Sequence, residues 1–87
     1  MEKQIKKRIV RNKSKIRCFI VEHNDAKHYW YSFDNENKKP SDVIVQKMYK
    51  RIKKHFGITK VVIFYENQLA GYSGNIVKKY INGICVI

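Results

Sequence analysis

The chain has 87 residues, enough for one small domain, and its 19 Lys and Arg against seven Asp and Glu give a net charge of +12. A hydrophobic fraction of 44% excludes general disorder, and no apolar run approaches the roughly 20 residues that a membrane-spanning helix needs. The charge predicts a polyanionic partner, for which nucleic acid is the usual candidate, in the cytoplasm or in the nucleus.

Residues 1–14 are predicted to be a basic extension that precedes a single domain over residues 15–87. The first 17 residues contain eight Lys and Arg and one acid, and they show little apolar periodicity. Such a segment is typical of a flexible arm that becomes ordered on nucleic acid, or alternatively of a solubility tail or a localisation signal. The cations expected to contact phosphate here are Lys6, Lys7, Arg8, Arg11, Lys13 and, at the start of the domain, Arg17.

Two strands, over residues 15–23 and 26–33, are predicted to pair as an antiparallel hairpin. The first alternates in character and places Ile16, Cys18 and Ile20 on one face. The second, AKHYWYSF, is rich in the aromatic residues that favour strands. The segment HND between them contains Asn and Asp, which tolerate the backbone geometry of a tight turn.

The aromatic residues of the second strand are a candidate surface for stacking unpaired bases. Alternation separates its side chains into two sets, Tyr29, Tyr31 and Phe33 on one face and His28, Trp30 and Ser32 on the other. One set must pack beneath the helix, and the other is free either to stack on nucleotides or to complete the packing of the domain. The residues proposed for stacking are Tyr29, Trp30 and Tyr31.

The connector over residues 34–40, DNENKKP, is predicted to be a solvated polar loop. Glu36 and Lys38 have the spacing found in half of a metal-dependent nuclease site, in which an acid and a lysine normally lie on a strand near Mg²⁺. Their place in a polar segment next to Pro40 favours the loop over the nuclease.

A helix is predicted between Ser41, expected as the N-cap, and Gly57, expected just beyond the C-terminal end. Asp42 places a negative charge in the first turn, where it complements the helix dipole. Apolar residues at helical spacing form a stripe that is expected to face the sheet. The stripe consists of Val45, Met48, Tyr49, Ile52 and Phe56.

A row of cations runs along the same helix, offset from the apolar stripe: Lys47, Lys50, Arg51 and Lys54. Ordinary solvated faces mix both signs of charge, because like charges at i and i+4 repel. This row has no acid beside it, so a phosphate-binding surface is favoured over an ordinary solvated face. Replacing Lys50 and Arg51 is then expected to weaken binding and to leave the fold intact.

Two further segments complete the predicted sheet. Residues 59–67, TKVVIFYEN, form a buried strand, and residues 75–87 form one or two short strands bent at Asn82-Gly83. The order β-β-α-β-β predicts an α+β fold, with one helix covering one face of a mainly antiparallel sheet. The basic patch is expected to extend onto these strands through Lys60, Lys78 and Lys79.

The sequence shows no constellation for catalysis or metal binding. The three His have no ligand spacing with one another or with a cysteine, and no cofactor fingerprint is present. Cys18 and Cys85 are far apart in the chain and are expected to be buried and reduced. We therefore expect a protein without enzymatic activity, cofactor or metal.

The expected function is binding of structured RNA, through the basic extension and the cationic helix row. In broad outline this design is similar to small ribosomal or ribonucleoprotein subunits, which join a basic extension to a compact α+β domain. One alternative is a DNA-binding regulator or an accessory protein of a virus or mobile element. Another is a protein-interaction module, or a dimer, that uses the apolar sheet edge GICVI.

Overall fold

A computed structural model of the protein describes residues 9–87. The elements of this part of the chain are β1 (Ile16–Val21), β2 (Lys27–Tyr31), α1 (Ser41–Phe56), β3 (Val61–Glu66), β4 (Ile76–Ile81) and β5 (Ile84–Cys85). One α-helix packs against a five-stranded antiparallel sheet in this region, which confirms the predicted fold class and element order. The strand order is β2-β1-β3-β4-β5, so β2 and β5 are the edge strands. Within the same residues, no helix combines the length and the apolarity needed to cross a bilayer.

The hydrophobic core lies between α1 and one face of the sheet. The alternation predicted for β1 is confirmed, since its three inward residues are fully buried, and β3 adds Val62 and Phe64. The helix contributes Val45, Met48 and Ile52 as predicted, together with Ile44, which the predicted stripe omitted. Each fully buried aliphatic side chain contributes about 1.5–3 kcal/mol relative to an exposed one, so this layer fixes the helix on the sheet.

The ends of α1 differ in how well they were predicted. The helix begins at Ser41 itself, and Pro40 occupies the N-cap with no side-chain capping bond, so the prediction of Ser41 as N-cap is wrong by one residue. The carbonyl oxygen of Pro40 accepts hydrogen bonds from the N–H groups of Val43 and Ile44, and its φ of −60° suits an entry to the helix. At the other end Gly57, with φ 76°, donates its N–H to the Lys53 carbonyl and closes the helix as predicted.

The C-terminal residues form two strands, and the bend predicted between them is confirmed. Asn82 and Gly83 both have positive φ, 50° and 82°. Two central residues of that kind form the tight turn whose twist matches an antiparallel hairpin, and Asn-Gly is the preferred pair there. Strand β5 is short and lies at the edge, which explains why Cys85 is exposed rather than buried as expected. Cys18 is buried, and burial raises the pKa of its thiol above the ordinary range.

The connector between β2 and α1 is not the solvated loop that was predicted. Residues Asp34–Glu36 form a turn of 3-10 helix, and the Glu36 side chain is buried. Asn37 accepts hydrogen bonds from the Lys15 N–H and the Ser32 hydroxyl, and it donates one to the Lys13 carbonyl. Buried main-chain groups need such partners, and here a polar segment supplies them. The connector is therefore packed against the start of β1.

The last residues of the predicted basic extension are also packed against the domain. Ser14 is fully buried, and its hydroxyl donates to the carbonyl oxygen of Ser32 at 2.7 Å. The buried side-chain amide of Asn67 donates to the carbonyl oxygens of Arg11 and Ser14, at 2.7 and 2.8 Å. Residues 10–14 are thus tied to the folded domain, in contrast to the flexible arm that was expected. Lys6, Lys7 and Arg8 lie outside the described residues.

Candidate nucleic-acid interface

Strand β2 lies at the edge of the sheet and carries aromatic side chains on both faces. On the face away from α1, Tyr29 is 52% exposed, whereas Tyr31, also predicted to stack on bases, is buried. On the face toward α1, the ring of Trp30 lies 5.6 Å from that of His55 and 5.5 Å from that of Phe56. Within β2 the predicted alternation agrees with the structure, which decides that the face with Trp30 packs beneath the helix. Phe33 was predicted on the face of Tyr29, and that is wrong, because β2 ends at Tyr31 and Phe33 contacts Arg51 of α1.

The cationic row of α1 borders this edge. Lys47, Lys50 and Lys54 are exposed, and Arg51 at the centre of the row is half-buried. The Arg51 guanidinium lies over the ring of Phe33, 4.3 Å from its centre. Phe33 and Arg51 both line each of three clefts, so these clefts adjoin one another around the stacked pair.

One of these clefts, here called the edge cleft, has a volume of about 470 Å³. It follows the outer edge of β2 and is lined by Ile9, Arg11, Tyr29, Trp30, Tyr31, Phe33 and Arg51. A second cleft extends along the helix past Lys47 and Lys50, and a third lies between Trp30 and Lys54. The predicted stacking residues and the predicted helix cations thus meet at one edge of the sheet.

Arg51 also has a structural role that was missed in the sequence. Its Nη1 and Nη2 atoms donate to the two carboxylate oxygens of Glu36, at 2.8 and 3.0 Å, and the Phe33 N–H donates to the same carboxylate. Burial raises the pKa of the Glu36 carboxyl, but these hydrogen bonds outweigh burial and hold the pKa below its ordinary value of 4.5. The expectation that Arg51 is dispensable for the fold does not agree with this pairing.

A second arginine–aromatic pair lies on the open face of the sheet. The Arg17 guanidinium is 4.5 Å from the centre of the Tyr29 ring, and that ring is 5.1 Å from the ring of Phe19. Tyr65 of β3 lies directly opposite Arg17 in the register of the two strands. Burial, with a smaller contribution from Tyr29, raises the pKa of Tyr65 above its ordinary value, while the Arg17 charge opposes that rise. Arg17, predicted as a phosphate contact, is therefore framed by two tyrosines.

Four of the predicted lysines line none of the three clefts around Phe33 and Arg51: Lys13, Lys60, Lys78 and Lys79. Lys60 pairs with Asp25 at 2.8 Å, at the turn end of the first hairpin, and both side chains are largely exposed. Lys79 is opposite Ile63 on the open face, whereas Lys78 is opposite Phe64 on the helix face. Lys13 is exposed in the turn that precedes β1. The structure therefore brings together only part of the predicted basic patch.

The site contains residues that sequence reasoning did not assign to it. Phe33 and His55 line the clefts beside Trp30, and Glu36 fixes the central arginine. Phe33 continues the aromatic run of the strand, a signal that was available in the sequence. The partnership of Glu36 with Arg51 joins residues 15 positions apart in different elements, and no local pattern marks it.

Comparisons with models of protein families, with curated proteins and with solved structures returned no match for this chain. Among residues 9–87, no group of three His, Cys, Asp or Glu side chains is arranged to hold a metal ion. What the protein binds must therefore be inferred from the side chains and the shape of its surface.

Proposed function

We propose that the protein binds structured RNA, without catalysing a reaction, as a small component of a ribosomal or other ribonucleoprotein assembly. One observation supports this proposal. The cations of α1 and the aromatic residues of β2 line one set of adjoining clefts. Such an assembly would be met in the cytoplasm or in the nucleus, the compartments expected from the sequence.

The lysines of the helix row supply the electrostatic part of the binding. Lys47, Lys50 and Lys54 are exposed, and none of them forms an ion pair within the described part of the chain. Each phosphate that such a cation neutralises releases condensed counterions, which favours association at low salt. Contacts of this kind position a protein on RNA without reading its sequence.

The aromatic residues favour RNA over duplex DNA. Rings that line a concave surface can hold a base only when that base is unstacked. Folded RNA presents such bases in its loops, bulges and ends, whereas a regular DNA duplex keeps them paired inside the helix. Trp30 and Phe33 are the rings that adjoin both the edge cleft and the helix cations.

A binding role is favoured over a catalytic one by the environment of Glu36. It is the buried carboxylate of the described residues, and both of its oxygens accept hydrogen bonds from Arg51. A general base needs a carboxylate with a raised pKa and access to a substrate proton, and the pKa of Glu36 is lowered. Its partner in the nuclease spacing, Lys38, is exposed.

Binding across a salt series tests the proposal. The full chain would be titrated into a folded RNA hairpin with a loop, into an unfolded single strand and into duplex DNA. We expect the tightest binding to the folded RNA, with an affinity that falls steeply as salt increases. A preference for duplex DNA would support a DNA-binding regulator instead. Weak binding to all three nucleic acids, or an affinity that does not change with salt concentration, would overturn the proposal.

A protein-interaction role is a second candidate, favoured by apolar exposure at the opposite edge of the sheet. In β5, Ile84 is 66% exposed, and Ile58, Ile81, Val86 and Ile87 are exposed as well. An open edge strand with apolar side chains can pair with a strand of another molecule. Analytical ultracentrifugation at high salt tests this candidate: a dimer that persists would support self-association, and a monomer at every concentration would count against it.

A further inference from the structure

The outer edge of β2 presents main-chain groups to the edge cleft. The Ser32 N–H donates to the Ile16 carbonyl and the Glu22 N–H donates to the Ala26 carbonyl, which fixes the alternation of hydrogen bonds between β1 and β2. In an antiparallel pair every second residue turns its N–H and C=O away from the neighbouring strand. By this register, Tyr29 and Tyr31 point their main-chain N–H and C=O groups outward. Within residues 9–87, no strand pairs with this outer side of β2.

The side chains around these outward groups provide two further kinds of contact. Trp30 and Phe33 form the aromatic wall on the side of α1, and the exposed Lys54 lies next to them. On the other side Arg11 lies 5.6 Å from the centre of the Tyr31 ring. A ligand in the edge cleft would thus meet main-chain hydrogen-bonding groups, the aromatic rings and the cations Arg11 and Arg51, with Lys54 in the adjoining cleft.

We propose that the edge cleft holds a single unpaired RNA base, extruded from a bulge or a loop. The base packs against Trp30 and Phe33, its edge forms hydrogen bonds with the outward main-chain groups of Tyr29 and Tyr31, and the flanking phosphates contact Lys54 and Arg11. This inference rests on the proposed RNA-binding function and names the feature of the RNA that the protein recognises. The volume of about 470 Å³ suits one small organic group, since ligand pockets commonly measure about 300–1,000 Å³.

An added peptide strand is the competing occupant of a free strand edge, and the geometry disfavours it. Strand β2 has five residues, and Ile9 and Arg11 form part of the wall of the cleft beside it. Strand addition needs an extended ladder of main-chain bonds along the edge. A compact group that enters from one side requires only the short exposed stretch between Tyr29 and Tyr31.

The test compares two RNA hairpins, one with a single 2-aminopurine bulge and one with the same stem fully paired. We expect the wild-type protein to bind the bulged hairpin about tenfold more tightly, the size of one base–aromatic stack, and to change its 2-aminopurine fluorescence. Phe33→Leu and Arg11→Gln should each reduce that preference. Tyr72→Leu is the matched control, because Tyr72 is an exposed aromatic residue that lines none of the clefts around β2.

Amide chemical shifts provide a second readout that does not depend on any variant folding. Addition of the bulged hairpin should move the amide signals of Tyr29 and Tyr31 more than that of Trp30, whose N–H faces β1. Equal affinity for both hairpins with steep salt dependence would overturn the base site and leave RNA binding standing. Binding to neither hairpin would overturn both proposals. Shifts at Tyr29 and Tyr31 caused by a glutamate-rich peptide, and not by RNA, would assign the edge to a peptide.

Discussion

Two arginines of this protein stack on aromatic rings at almost the same distance and yet have different polar partners. Arg51 lies 4.3 Å from the centre of the Phe33 ring, and Arg17 lies 4.5 Å from the centre of the Tyr29 ring. In both, the Nε atom is buried and has no hydrogen-bond partner among the described residues. The difference is Glu36, whose buried carboxylate receives two hydrogen bonds from Arg51. Within the described residues, Arg17 has no carboxylate partner.

The comparison shows that the position of a cation in a basic patch does not reveal how its charge is used. The charge of Arg51 is balanced internally, and its contacts hold the connector and Phe33 against the helix. The charge of Arg17 is not balanced by a carboxylate within the described residues, and we propose that it contacts a phosphate. Since a charge-assisted bidentate pair is both strong and geometrically specific, Arg51 is expected to matter more for folding than for binding.

The largest expected effect is on stability. Arg51→Ala should lower the free energy of unfolding by about 1–3 kcal/mol, the cost of leaving a buried polar group unsatisfied, because Glu36 loses its partner. Arg17→Ala should cost less, since it strands no buried carboxylate. Urea denaturation measures both. In a double-mutant cycle, removing Glu36 as well should cost less than the sum of the single changes. Equal losses of unfolding free energy in the two variants would show that Arg51 and Arg17 contribute alike to stability.

The next effect concerns the lysines on either side of Arg51. Replacing Lys50 and Lys54 with Ala should reduce the slope of log K against log salt by about 0.7–0.9 for each phosphate that the variant no longer neutralises, with the stability unchanged. Binding of a folded RNA hairpin at several salt concentrations gives the slope. The matched control is the double variant Lys60→Ala, Lys78→Ala, which removes two lysines that line none of these clefts. Equal changes from both double variants would extend the binding surface beyond the edge of β2.

Acid should reveal the same pairing through the pH dependence of stability. The pKa of Glu36 is lower in the folded protein than its ordinary value of 4.5. Its contribution to stability is therefore complete above that value and is lost as the pH falls from 4.5 through the folded pKa. Urea midpoints measured from neutral pH downward should fall less in Glu36→Gln than in the wild type. If the urea midpoints of the two proteins fell equally at low pH, the protonation of this carboxyl would not be coupled to folding.

The smallest expected effect is that of Arg17→Gln. It should weaken binding of the RNA hairpin by a few-fold, the scale of one phosphate contact, and shift stability by no more than about 0.5 kcal/mol. Fluorescence anisotropy and urea denaturation on the same variant separate the two readouts. A loss of stability as large as that of Arg51→Ala, with unchanged affinity, would reverse the roles assigned to the two arginines.

The sequence by itself determined the elements of the fold. The two-residue alternation of β1 and β2, the helical spacing of Val45, Met48 and Ile52 and the Asn82-Gly83 turn all agree with the structure. These features depend on steric preferences between residues close in the chain, and those preferences appear directly in the spacing of residue types. The aromatic strand and the helix cations were predicted for the same reason.

Only the tertiary structure determined which polar groups of these elements pair with one another and which faces stay exposed. Glu36 looked solvated until the fold placed it beside Arg51, and Asn67 gained its partners from Arg11 and Ser14, more than 50 residues away. The side of β2 that lies beneath the helix was likewise settled by packing. Such pairings depend on which groups lose water together when the chain closes on itself, and nothing in the neighbouring sequence specifies that outcome.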